Sequence, residues 1–351
     1  MGAKADTNPV AIMLDVFNHF TPRAFFARLD GLIPGHPVLT AFPRLPALLD
    51  VDARLALLDE FEGLQQILSL ANPPIEHLGP PDRTPGLARE ANDLLAEICA
   101  RHPGRFPGFV AALPMNNLEA ALAEAERAVT TLGACGVQMF TNMLGTPLSA
   151  PQFRPLFAAM AKFDLPVWVH PIRGPQTPDY AAESASEDEI WFMFGWPYET
   201  TACMTRLVYA GIFDEHPGLK VIAHHMGGMI PFFSGKIKLG FSQIFFGTEN
   251  DNPIAVRRGL KRPPLDYFRG IYADTALGAE VHALRCGHAF FGTPHALFAT
   301  DAPFDAEKGR GLIRDTIASI RALGLPADET EAIFAGNARA LLRLDAKGKA
   351  S

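Results

Sequence analysis

The chain has 351 residues, 48% of them hydrophobic and 20% charged, with a formal net charge of −7. That length holds one large α/β barrel or two ordinary domains. The acidic balance argues against nucleic acid and against an anionic membrane surface as partners, and no apolar run approaches the ~18 residues needed to span a bilayer.

The opening MGAKADTNP lacks the apolar stretch of a signal peptide. It begins Met-Gly, but Asp6 stands where a myristoylation site wants Ser or Thr. Cys99, Cys135, Cys203 and Cys286 are scattered, without a C-x-x-C pair. A reduced, cytoplasmic protein with buried thiols is the expectation. Arg257, Arg258, Lys261 and Arg262, beside two prolines, read as a solvated loop.

In chain order, Ile12 to Asp15 reads as a short buried strand that presents polar groups past its end, with His19 four residues on. Ala24 to Leu29 suggests a short helix. Asp52 to Phe61 has helical spacing, with Leu55, Leu58 and Phe61 on one face. Gln66 to Leu70 is a second strand. Gly86 to His102 is a helix ended by Pro103-Gly104. Phe106 to Leu113 is a third strand, and Asn117 caps a helix that runs through Leu132. Cys135 to Phe140 is a fourth strand, Phe153 to Phe163 a helix, and Pro166 to His170 a fifth strand ending in histidine.

The segment from Gly174 to Pro197 breaks this rhythm with an acidic stretch and the aromatic run around Trp191 and Trp196. Such an insertion suggests an active-site lid, an oligomer contact, or packing onto the barrel top. Thr200 to Phe213 is then a helix, Leu219 to Ala223 a sixth strand, and Ile230 to Phe245 a helix. Ile271 to Asp274 and Leu297 to Thr300 are the seventh and eighth strands, with a short helix Val281 to Cys286 between them. Leu312 to Leu323 and Glu329 to Leu344 are closing helices.

Eight strands alternating with helices predict an α/β fold, a (β/α)8 TIM barrel. The whole chain, 1–351, would form a single domain, with a lid-like insertion after the fifth strand. A doubly wound sheet is disfavoured, because no Gly-rich phosphate loop follows the first strand.

In such a barrel the strand ends converge on one mouth. They carry Asp15 and His19, His170, His224 and His225, Asp274, and Asp301. Imidazoles with a carboxylate are what a divalent ion such as Zn²⁺ prefers. His19, His170 and Asp301 would supply three ligands and leave a position open. Each has a plain structural alternative: a core histidine, or an aspartate capping a turn. His224 and His225 point to opposite sides of a strand end, so at most one is expected to face the mouth. His225, leading into Gly227-Gly228, is the choice for general acid/base work.

The chain also resembles a known family over nearly its whole length. The pieces are PGFVAALP (107–114), LGACGVQMFTN (132–142), LPVWVHP (165–171), the long run from Pro197 to Phe233 containing AHHMGG, YADTA (272–276), ATDAPF (299–304) and AIFAGNARALLRL (332–344). In their order and spacing these resemble the amidohydrolase-related barrels that include aminocarboxymuconate-semialdehyde decarboxylase and γ-resorcylate decarboxylase. The resemblance implies His19, His170 and Asp301 as metal ligands and His225 as a proton-transfer residue, with Asp301 also able to move protons. The family's first ligand position falls on Phe17. No lysine after the fourth strand offers a carbamate bridge, so one divalent ion is implied, Zn²⁺ ahead of Mn²⁺.

The leading expectation is a metal-dependent carbon–carbon lyase that decarboxylates an aromatic or dienoic carboxylic acid without oxidation. Metal-dependent hydrolysis of an ester, lactone or amide in the same barrel is the alternative. A metal-depleted binding protein is the second, raised by Phe17. Phe17, Trp191 and Trp196 would wall the substrate, and Arg173 and Arg206 are candidates to clamp its carboxylate. Family habit and the aromatic insertion suggest a homodimer or homotetramer.

Overall fold

The computed structural model describes residues 11–242 and 259–344. β1 (Met13–Asp15), β2 (Leu64–Leu68) and β3 (Gly108–Phe109) pair in parallel. β4 (Ala111–Ala112) continues the line of β3 and pairs with β5 (Val137–Phe140). Val110 joins the two pieces: its N–H donates to Leu68 O at 2.8 Å, while the Ala111 N–H donates to Gly136 O at 3.0 Å. The expected third strand is therefore one strand whose bonding passes from one neighbour to the other. A small antiparallel hairpin, β6 (Asn142–Met143) and β7 (Thr146–Pro147), stands above β5.

β8 (Val167–His170), β9 (Val221–Ala223), β10 (Tyr272–Asp274) and β11 (Ala296–Leu297) carry the parallel order onward from β5. The ring closes between last and first. Val16 N–H donates to Phe298 O at 3.0 Å, and Asp301 N–H to Phe17 O at 2.9 Å. The result is a (β/α)8 barrel, as its alternating pattern requires.

Inward residues fill the barrel. Leu14, Val16, Ile67, Val110, Trp168, Ile222, Leu297 and Ala299 form a continuous apolar core, with Tyr272 packed against it. Trp168 Nε1 donates to Val16 O at 3.1 Å, so its one polar atom is satisfied inside that core. Outside, amphipathic helices cover the strands. The helix Thr84–Arg101 buries Leu87, Ala88, Ala91, Leu95 and Ile98, at the three- and four-residue spacing of one face. Asn117 caps the helix Leu118–Thr130 by accepting from Ala120 N–H at 3.1 Å.

Three sequence expectations shift. The helix Val51–Asp59 buries Arg54 and Leu57 beside the expected Leu58, while Leu55 and Phe61 are half-buried against the core; a buried acceptor cluster draws the guanidinium in. The helix expected from Ile230 begins at Ser234, and its expected end at Phe245 lies outside the described residues, as do Arg257 and Arg258 of the basic cluster. The insertion contains no regular structure before residue 190; Trp191–Gly195 then forms a wide helical turn that runs straight into the helix Trp196–Tyr209. Gly195 permits this path, because a Cβ there would meet Arg173 Cδ at 2.6 Å.

Candidate active site

The register of three adjacent strands sets the first layer of the site. Val169 pairs with Ala223, and Ala273 pairs with the same Ala223. One residue further, His170, His224 and Asp274 lie side by side above Trp168, Ile222 and Tyr272, two residues before them. Alternation along a strand puts residues two apart on one face. The inward side of the core therefore continues upward as a polar layer, and all three residues are buried.

The remaining groups arrive on strained backbone. Asp301 has φ 61° and His225 φ 55°, left-handed values uncommon for residues with a side chain. Such conformations persist where surrounding bonds over-determine them. Here Asp301 N–H is tied to Phe17 O, and His225 N–H donates to Asp274 Oδ1 at 3.0 Å. The left-handed turn corrects a sequence expectation. His224 and His225 both reach the site, because His225 leaves the strand geometry that would have turned it away. Gly228 lets that turn pack on the helix after the insertion, since a Cβ there would lie 2.4 Å from Pro197 O.

Asp301 stands between two imidazoles. Its Oδ1 is 3.2 Å from His19 Nε2, and its Oδ2 is 3.6 Å from His225 Nε2. Burial pushes the Asp301 carboxyl upward, but the flanking His19 and His225 imidazoles outweigh it and hold the group well below the usual carboxylate range. Burial pulls the His225 imidazole down, yet Asp301 overcomes this and raises it. The proton of the pair therefore belongs to His225 and the negative charge to Asp301.

His170 is different. Its Nδ1 is 2.6 Å from the carbonyl oxygen of Pro171, which can only accept, so the proton sits on Nδ1 and the lone pair on Nε2. Burial, then the nearby His19 and His224, hold it well below its ordinary value. It is a neutral imidazole with a free lone pair, the form that ligates metals. The His19 and His170 ring centroids are 5.4 Å apart.

The donor set fits a divalent ion in kind: two imidazoles and an ionised carboxylate around one space. His19 Nδ1 is buried without a partner. His19 and Asp301 are closed on each other, and among the described residues no three such groups stand in a ready-made coordination shell. Phe17 is fully buried beside them. Its ring is 4.7 Å from that of His19, 5.5 Å from His170 and 5.9 Å from His225.

Neither Asp15 nor Asn18 takes the place of Phe17. Asp15 accepts from Thr300 Oγ1 at 2.7 Å and from Gln66 Nε2 at 2.9 Å. Burial pushes its carboxyl up to about 6, against these bonds. Asn18 donates to Ile67 O at 3.1 Å. Beneath both lies Arg54, fully buried, which donates to Ala47 O, Asn18 Oδ1, Gln66 Oε1 and His19 O. Burial brings its guanidinium down to about 10, so it remains charged. Sequence reasoning passed Arg54 over. The available signal was a charged residue at i−3 and i−4 to Leu57 and Leu58, in the middle of a buried helical stripe.

The aromatic candidates divide. Trp196 reaches the site, its ring 5.5 Å from His170 and stacked at 6.4 Å on His225, with Nε1 donating to Arg173 O at 3.0 Å. Trp191 lies behind it, 5.9 Å from Trp196. Arg173 is already engaged: Glu199 Oε1 lies at 3.5 Å and Asp179 Oδ1 at 3.7 Å, so it holds the insertion to the following helix. Arg206 is exposed and donates to Ser149 Oγ at 3.2 Å. The buried face of its helix runs through Cys203, Met204, Leu207 and Val208. That face turns Arg206 outward, so the structure does not bring it among the site residues as the sequence reading had it.

Known proteins share this fold. The chain is 35% identical over 290 residues to a γ-resorcylate decarboxylase of Rhodococcus jostii (strain RHA1), spanning 78% of this chain and 83% of that one. The crystal structure of a 2,6-dihydroxybenzoate decarboxylase in complex with 2,6-dihydroxybenzoate superposes with a TM-score of 0.76 at 27% identity, covering 95% and 99% of the two chains. A dihydroxybenzoic acid decarboxylase from Polaromonas sp. JS666, with bound manganese and the inhibitor 2-nitroresorcinol, also gives 0.76, at 28% identity and 95% and 97% coverage. The amidohydrolase family model matches residues 44–344, from before the second strand to the last helix, and the chain belongs to that family, among its decarboxylases.

Proposed function

We propose that this enzyme decarboxylates a hydroxylated aromatic carboxylic acid without oxidation, with one divalent cation, Zn²⁺ or Mn²⁺, held by His19, His170 and Asp301. The observation that carries the reading is Asp301 set between two imidazoles, Oδ1 3.2 Å from His19 Nε2 and Oδ2 3.6 Å from His225 Nε2. When bound, the cation would act as a Lewis acid on the substrate's oxygens and fix its orientation. The protein's own part is a proton transfer. His225 gives a proton to the ring carbon that bears the carboxylate, the bond from that carbon to the carboxylate breaks, and CO₂ leaves with the ring hydrogen in its place. Asp301 keeps His225 charged until then. Trp196 supplies a flat apolar wall for an aromatic ring, while Phe17, fully buried with its face on His224, backs the site from within. The segment 174–197 serves as the lid, tied down through Arg173. The exposed Phe192, Met193, Phe194, Tyr198 and Phe232 offer a second copy of the chain an apolar face.

The test is CO₂ release from a panel of hydroxybenzoates, including 2,6-dihydroxybenzoate, run beside a panel of lactones and esters. The expected result is CO₂ release in step with loss of the benzoate, and a fall in kcat of about 10²–10⁴-fold for His225→Asn. Lactone or ester hydrolysis with no CO₂ from any benzoate would overturn the proposal in favour of the hydrolase reading. Turnover of nothing, by a chain that binds no metal, would leave the binding-protein reading.

A further inference from the structure

One imidazole in the inward layer has no task in that mechanism. His224 is 0% exposed. Its Nδ1 faces Asp274 Oδ2, and its Nε2 is buried with no hydrogen-bond partner. Asp274 is itself fixed, since Oδ1 accepts from His225 N–H at 3.0 Å and from Ala276 N–H at 3.1 Å. A carboxylate on Nδ1 sets the proton there and leaves the lone pair on Nε2. This carboxylate–histidine pairing is the support that metal-bound histidines characteristically have. The His224 ring centroid is 5.7 Å from that of His170, its neighbour in the layer. Its face lies on Phe17, with centroids 3.5 Å apart and an interplanar angle of 20°.

A histidine that served only the core would use both nitrogens, because an unpaired buried acceptor costs roughly 1–3 kcal/mol. Here the second nitrogen is kept free, inside the barrel, on the residue stacked against the one that lacks a donor. We propose that His224 supplies the divalent ion with the nitrogen that Phe17 withholds, so that the ligands are His19, His170, His224 and Asp301. Phe17 then acts as the flat wall that holds the His224 ring in line, and Asp274 is a positioning residue behind it. This inference rests on the metal-dependent reading of the site.

The test measures metal, with activity set aside. Wild type, His224→Gln, Asp274→Asn, Phe17→His and the double variant Phe17→His/His224→Gln are stripped with a chelator and titrated with Mn²⁺ and with Zn²⁺ against a chromophoric chelator. Circular dichroism of each stripped protein reports folding. Wild type should bind one ion per chain. Asp274→Asn should weaken binding by about 10–100-fold, the usual effect of losing such a support, and His224→Gln by more. Phe17→His/His224→Gln should recover most of that loss, because the family's usual ligand is put back. The d–d spectrum of the Co²⁺-loaded protein should change in His224→Gln. Equal affinity in wild type and folded His224→Gln would overturn the His224 assignment while leaving the metal-dependent reading in place. A wild type that takes up neither ion would overturn that reading and this inference with it. If His224→Gln fails to fold, the rescue variant decides: folded and still unable to bind, it refutes the assignment.

Discussion

Arg54 offers the sharpest test of how the fold holds the site. Its guanidinium is fully buried and makes four hydrogen bonds: to Ala47 O at 2.6 Å, Gln66 Oε1 at 2.8 Å, Asn18 Oδ1 at 3.3 Å and the carbonyl oxygen of His19. Two of these acceptors lie on the stretch that carries Phe17 and His19. In Arg54→Met the apolar stem is retained, yet four buried acceptors lose their donor and Asp15 loses the nearby positive charge. Removing one member of a buried charged network costs about 3–5 kcal/mol, mostly through the partners left behind. Arg54→Lys should fall between, since a point charge with three donors cannot reproduce a planar fork across four acceptors. Urea unfolding followed by circular dichroism, with linear extrapolation, measures the difference directly. A loss below about 1 kcal/mol in Arg54→Met, or none in Arg54→Lys, would refute the claim that this network anchors His19.

Two further outcomes follow from buried polar groups away from the reaction. Glu76, beside the small cavity lined by Leu70, Ile75, Leu113 and Gln138, has its carboxyl pushed up to about 7 by burial. Because the folded state holds this proton more tightly than the unfolded chain, the associated stability is fully present below about pH 4.5 and is lost as pH rises through about 7. Glu76→Gln should therefore gain on wild type by on the order of 3 kcal/mol between pH 4 and pH 8, and parallel stability curves for the two proteins would contradict it. Asn92 ties two helices to β4: it accepts from Ala112 N–H at 2.9 Å and donates to Ala112 O at 3.0 Å and Glu124 Oε1 at 2.8 Å. Asn92→Ala should lower the urea midpoint by the equivalent of about 2–3 kcal/mol at unchanged slope; a midpoint within error of wild type would show that these bonds carry no net stability.

The barrel was legible because its signal is local. Short apolar runs such as PVWVH and LKVIA, each followed by an amphipathic segment, announce strand and helix through their periods alone. His19, His170 and Asp301 could be picked out because a parallel barrel gathers its strand ends at one mouth. Pairing register was not legible. It depends on which residues of neighbouring strands face each other, and it alone sets His170, His224 and Asp274 in one layer. The left-handed turn at His225 was also hidden: strand alternation allows only one of His224 and His225 to face the mouth, and the bond to Asp274 and the packing of Gly228 are what bring both there. Arg54 drew no attention in the sequence, and Arg206 looked like a clamp. Which of two arginines goes inside is decided by where unpaired carbonyls and carboxamides end up after folding. The sequence by itself determined the alternating barrel and the chemical kinds of group at its mouth, since both follow from residue type and spacing. Tertiary structure decided which nitrogen of each histidine is free and that Phe17 lies flat on His224, since those depend on partners brought together from distant parts of the chain.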